Sequence, residues 1–149
     1  TDIGLNESHT TLNLTTSLVV PTDEFSVAFI APPSGNVVIE FQIQYGAGSN
    51  GTGDLRASLS TANATTGYSA LATHYEETYQ AQGARNGFET IRGAWTLTSL
   101  TAGDSYEYWA AFATDSTTGT PKVRWGGTST SRYPDFIMKA TALPASITT

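Results

Sequence analysis

The sequence contains no cysteine, so no disulfide can staple it and no thiolate can hold a metal. Charge is scarce as well: only 13% of residues are Asp, Glu, Lys or Arg, about half the usual share for a globular domain. Helical surfaces draw their solubility from Glu, Lys and Arg, so the shortage argues against a helical fold. No apolar run approaches membrane-spanning length, and the opening Thr1-Asp2-Ile3-Gly4 is not a signal peptide. A leader was removed, or the protein leaves its cell by a route such as lysis. Small extracellular domains of eukaryotes often carry disulfides, and their absence here favours synthesis in a bacterial cytoplasm.

Positive charge is the rarer sign. The seven basic residues (Arg56, Arg85, Arg92, Lys122, Arg124, Arg132, Lys139) are scattered along a chain of net charge -6, which argues against nucleic acid as a partner. What fills the space is Thr, Ser and Gly, together with 39% hydrophobic residues, enough for a core in one domain of 149 residues. Thr is β-branched and sits well on a pleated sheet. With so much Thr and Ser, the Asn-x-Ser/Thr triplets at Asn6, Asn13, Asn50 and Asn63 read as chance.

The period of two dominates the chain. Residues 1–9 read as a polar arm, 10–144 as one domain and 145–149 as a loose tail. A first strand is expected over Thr10 to Val20, then Phe25, Val27 and Phe29 alternating with Glu24, Ser26 and Ala28. The clearest strand sets Val37, Ile39, Phe41, Ile43 and Tyr45 on one face and Val38, Glu40, Gln42 and Gln44 on the other. Leu55, Ala57 and Leu59 open another. The stretch 68–82 reads as strand plus loop or as a helical stripe of Tyr68, Leu71, Tyr75 and Tyr79. Further strands carry Ile91, Gly93, Trp95 and Leu97, then Tyr108, Ala110 and Phe112, then Val123 and Trp125, then Phe136, Met138 and Ala140. Eight or nine strands without an internal repeat predict an all-β, two-sheet antiparallel sandwich, a jelly roll first and a fibronectin- or Ig-like sandwich second.

No catalytic constellation emerges. There is no Gly-x-Ser-x-Gly elbow, and the two histidines are His9, in the arm, and His74. The adjacent carboxylates Glu76-Glu77 would point to opposite faces of a strand. Acidic residues are too dispersed for an EF-hand, which leaves loop carbonyls around Asp54 or Asp115 as the open calcium position. No enzyme, no cofactor and no metal site are expected. The candidate contact residues are Tyr68, His74, Tyr75, Tyr79, Trp125, Arg132 and Tyr133, because aromatics and Arg are enriched at interfaces. Trp125, beside Arg124 and Gly126-Gly127, is expected to be partly exposed, whereas at least one of Trp95 and Trp109 belongs to the core. Leu100, Gly103 and Tyr106 fit a tyrosine corner, in which the hydroxyl reaches nearby backbone.

Three segments carry a resemblance: Phe29-Ile30-Ala31-Pro32-Pro33-Ser34-Gly35-Asn36-Val37, Leu100-Thr101-Ala102-Gly103-Asp104-Ser105-Tyr106, and Ile137-Met138-Lys139-Ala140-Thr141-Ala142-Leu143-Pro144. Across residues 10–144 the chain resembles the β-sandwich domains of tail, fibre and head-decoration proteins of tailed bacteriophages. The resemblance implies a non-enzymatic part of the virion surface, assembled as a homotrimer beside other virion proteins, stabilising the particle or contacting a host glycan. It carries no catalytic residues over. The alternative is a carbohydrate-binding module or adhesin domain, monomeric, with its platform at Trp125 and the tyrosines.

Overall fold

The computed structural model describes residues 10–48, 51–63, 65, 67–69, 76–79, 87–127 and 132–145. Nine strands run through them: β1 (Thr10–Asn13), β2 (Ser26–Ile30), β3 (Val37–Ala47), β4 (Leu55–Ser60), β5 (Glu77–Tyr79), β6 (Gly87–Leu97), β7 (Ser105–Thr114), β8 (Lys122–Trp125) and β9 (Ile137–Ala142). Antiparallel pairing joins β1 to β8, β2 to β7, β3 to β6 and β4 to β5. That nesting is one long hairpin, rolled up into a sheet A of order β1-β8-β3-β6 and a sheet B of order β2-β7-β4-β5. The winding is that of a jelly roll. The ninth strand adds to sheet A: β6 follows β3 along one edge, while the other edge is shared by β9, over Val37–Gln42, and β8, over Gln44–Gly46.

The alternation of β3 decides where the core lies. Val37, Ile39, Phe41, Ile43 and Tyr45 are each at most 2% exposed and belong to one cluster with Leu55, Ala57, Leu59, Ala110 and Phe112 of sheet B. Each large side chain buried this way contributes about 1.5–3 kcal/mol. Between the sheets Phe25 stacks on Phe136 at 3.7 Å and Trp95 on Phe41 at 4.8 Å. Trp95 is thus a core residue; Trp109 lies half-buried on sheet B with its indole N–H donating to the Asp23 carbonyl at 3.1 Å.

The first strand is shorter than the expected Thr10 to Val20. After Asn13 the Thr15 hydroxyl bonds the Ser17 backbone, a local alternative to the ladder, and the chain crosses from sheet A to sheet B, where Val19 bridges Phe112. Of the stretch 68–82, residues 77–79 form β5, and residues 70–75 and 80–82 lie outside the described ones. So do the arm of residues 1–9 and residues 146–149 of the tail.

One pole of the sandwich is made of three turns knitted by main-chain bonds. Ala31 N–H donates to the Asp104 carbonyl at 2.9 Å, Gly103 N–H to Ala31 at 3.0 Å and Leu100 N–H to Gly35 at 3.0 Å. Leu143 N–H reaches Asn36 at 2.9 Å, and the Ser34 hydroxyl donates to the Leu143 carbonyl at 2.6 Å. Gly35 holds φ +65° with the Leu100 carbonyl where a Cβ would stand, so glycine is required there. Within this pole the Tyr106 hydroxyl accepts a bond from Thr101 N–H at 3.0 Å, the geometry of a tyrosine corner.

Candidate functional site

The outward row of sheet A is the feature with chemical content. Because the inward positions are fixed by the core, the cross-strand register fixes the outward ones. On β3 these are Val38, Glu40, Gln42, Gln44 and Gly46. On one side they meet Thr96, Ala94, Arg92, Thr90 and Phe88 of β6; on the other, Thr141, Lys139 and Ile137 of β9, then Arg124 and Lys122 of β8. Four of the seven basic residues of the sequence therefore share one sheet face, although positions 92 and 139 lie far apart in the chain.

These side chains are tied to one another. Arg92 Nε donates to Gln42 Oε1 at 2.8 Å, and Arg124 Nε donates to Gln44 Oε1. Lys139 pairs with Glu40 at 3.0 Å, the single carboxylate on the outward row. No salt bridge among the described residues reaches Arg92, Lys122 or Arg124, so the face stays cationic. The Arg124 guanidinium lies 3.4 Å from the ring centre of Phe88 and 4.2 Å from that of Tyr133. Such stacking contributes about 0.5–2 kcal/mol and holds the cation in place. Gly46 permits it: Phe88 stands opposite, and a Cβ at Gly46 would meet Phe88 Cδ1 at 2.7 Å. Tyr133 is delivered by the turn after β8, where Gly127 bridges Arg132 and Tyr133 N–H donates to the Gly126 carbonyl at 2.8 Å.

Between Arg92, Gln42 and Ile137 on one side and Glu40 and Lys139 on the other, the face dips into a shallow groove floored by Phe41 and Gly93. Ile137, 47% exposed, is the one large exposed apolar side chain among the described residues that line it. Chemically the surface offers guanidinium and amide donors in a fixed array.

The residues proposed from sequence fall into different places. Trp125 is corrected: it is 2% exposed, faces inward with Val123, and packs on Phe25 at 4.7 Å. The parity of a four-residue strand puts it in the core, so it offers no exposed platform. Tyr68 is half-buried against sheet B, its hydroxyl donating to the Leu59 carbonyl at 3.1 Å and lying 2.6 Å from the Ser58 hydroxyl. Tyr79 closes the open side of the sandwich by meeting Phe41 edge-on at 5.5 Å. Burial, joined by the hydrogen bond to Glu77 at 2.6 Å, pushes its hydroxyl well above the usual tyrosine pKa. Arg132 is exposed and pairs with Asp135 at 3.5 Å. His74 and Tyr75 lie outside the described residues. Of the candidates among the described residues, Tyr133 alone belongs to the sheet A array; Arg92, Arg124, Gln42, Gln44 and Phe88 were not singled out from the sequence.

At the pole opposite the three turns, Asp54 and Asp115 engage each other's backbone: the Asp115 carboxylate accepts from Asp54 N–H at 2.7 Å. Among the described residues no three His, Cys, Asp or Glu side chains gather as a metal cluster. Nearby the Tyr45 hydroxyl donates to the Gly53 carbonyl at 2.5 Å, and burial raises its pKa.

Comparison with known proteins adds no relative: no family model, no curated protein and no solved structure matches the chain. The class the fold defines is therefore a two-sheet antiparallel sandwich with one cation-bearing face.

Proposed function

We propose that the chain is a non-enzymatic module displayed on the surface of a tailed-phage particle, a capsid-decoration or fibre domain working as a homotrimer beside other virion proteins. One observation supports the reading. The three segments that carry the resemblance meet at a single pole, bonded to one another through Ala31, Gly35, Leu100, Gly103 and Leu143. The three segments are thus one connected unit of the fold and not three separate phrases. Light scattering on a sizing column tests it: a particle of about three times 15.8 kDa is the expected mass. A monomer that also fails to add to phage shells or fibres would refute it.

A second reading, a carbohydrate-binding module, is favoured by a separate observation, the amide and guanidinium array of sheet A. Its platform would be that array and not Trp125. Glycan binding that survives Trp125→Phe and weakens on Arg92→Gln is the expected pattern.

A further inference from the structure

We infer that the outer face of sheet A is a binding site for an acidic polysaccharide, a chain of carboxylated sugars laid across β6, β3 and β8 and held by Arg92 and Arg124. The inference deepens the glycan-binding reading by naming the ligand class, and rests on it.

The charge argument comes first. A chain of net charge -6 places four of its seven basic residues on one sheet face and keeps three of them, Arg92, Lys122 and Arg124, out of any salt bridge among the described residues. Carboxylates are drawn elsewhere: Glu107 and Glu76 serve sheet B, bonding Ser26 and Arg56. A surface made this way attracts an anion locally while the molecule as a whole repels one, so binding there reports the site and not bulk charge.

Geometry selects the kind of anion. Arg92 and Arg124 flank β3 on opposite sides, two residues out of step, which sets their Cα atoms about 12 Å apart by strand rise and spacing. A single sugar meets one of them; an extended saccharide meets both. Each Nε is already engaged by a glutamine carbonyl, which orients the guanidinium and leaves each glutamine's amide N–H groups to donate. Guanidinium for carboxylate and amide for hydroxyl is the donor set a uronic-acid chain requires. Neighbouring Thr90 and Thr96 are exposed and add hydroxyls.

Other occupants fit less well. A protein partner wants aromatic or aliphatic anchors, and Ile137 is the one large exposed apolar group at the groove. Single-stranded nucleic acid wants open aromatic faces for its bases, but Phe88 and Tyr133 are stacked on Arg124.

Affinity electrophoresis of the purified chain in native gels cast with polygalacturonate, dextran or no polymer, at low ionic strength, tests the inference. Polygalacturonate is expected to retard the chain, and the retardation to fade as salt is raised. Arg92→Gln with Arg124→Gln should weaken it by about tenfold or more, as when charge-assisted hydrogen bonds are removed. Arg56→Gln, which removes one such charge from sheet B, should leave it unaltered. The wild-type arm stands whether or not a variant folds: no retardation by polygalacturonate at low salt overturns the proposal. Retardation that survives the double substitution in a folded protein overturns it too. Retardation by dextran alone would sink the acidic ligand and leave the glycan-binding reading standing. A tighter hold on oligothymidylate, or self-association lost in the double variant without polymer binding, would give the face to nucleic acid or to a second copy.

Discussion

Gly93→Ala is expected to destabilise the domain by roughly 2–4 kcal/mol. Gly93 points inward on β6, and a Cβ there would lie well under 3.0 Å from both the Tyr79 hydroxyl oxygen and Phe41 Cε1. Phe41 is locked in the core between Trp95 and Phe112, so Tyr79 is the side that yields. It sits on a three-residue strand that, among the described residues, pairs with Leu55, Arg56 and Ala57 alone. Overpacking of this kind costs about 1–3 kcal/mol, and the edge-on contact of Tyr79 with Phe41 is worth a further 0.5–1.5 kcal/mol or so. For a domain of this length the melting temperature should fall by roughly 5–15 °C. Elsewhere in a strand the same change would stabilise by about 0.5–1 kcal/mol, because glycine loses more chain entropy than alanine on folding. The sign is therefore decisive. Urea titration should show the penalty shrinking by about 1 kcal/mol or more in a Tyr79→Ala background, where the obstructing ring is gone. A neutral or stabilising Gly93→Ala, or an equal cost in both backgrounds, would refute the packing argument.

Tyr45→Phe removes the bond to the Gly53 carbonyl and leaves that acceptor buried, so a loss of about 1–3 kcal/mol in urea melts is expected, without change of fold by circular dichroism. Thr120→Gly should stabilise by roughly 0.5–1 kcal/mol: Thr120 holds φ 52° although it is β-branched and precedes Pro121, and no gain in melting temperature would count against strain there. The raised pKa values of Tyr45 and Tyr79 make stability fall at alkaline pH. Both hydroxyls ionise more readily in the unfolded chain, so their contribution is complete below about pH 10 and is lost as pH rises through the folded values. Tyr79→Phe should flatten that alkaline limb, and an unchanged limb would show that another group causes it.

The strands were legible because the inward sets are unbroken: Val37 to Tyr45 and Ile91 to Leu97 leave no helical alternative. The face of Trp125 was legible too, in the alternation of Lys122 and Arg124 with Val123 and Trp125, but the adjoining Gly126-Gly127 break pointed to exposure. Pairing of Val123 with Leu12 and Tyr45 sets both apolar side chains toward the core. The cation array was hidden for a different reason. Alternation alone puts Arg92, Arg124 and Lys139 on the outward side of their strands, but that these strands are neighbours of β3 is a property of the register. The tyrosine corner lay within seven consecutive residues, Leu100 to Tyr106, and could be recognised locally.

The nested pairing also governs how the domain comes into being. β4 and β5 are separated by a comparatively short stretch, whereas β2 must find β7 across about half of the chain and β1 must find β8 across most of it. Loop closure of that kind is slow, and each inner pair shortens the loop that the next must close. Folding is thus expected to zip from β4–β5 outward. Half of one β3 edge stays open until β9 arrives, and until then the long backbone edge at Val37–Gln42 is a template for a neighbouring chain. Emerging from synthesis, the molecule is most exposed to mispairing in the interval before β9 is complete.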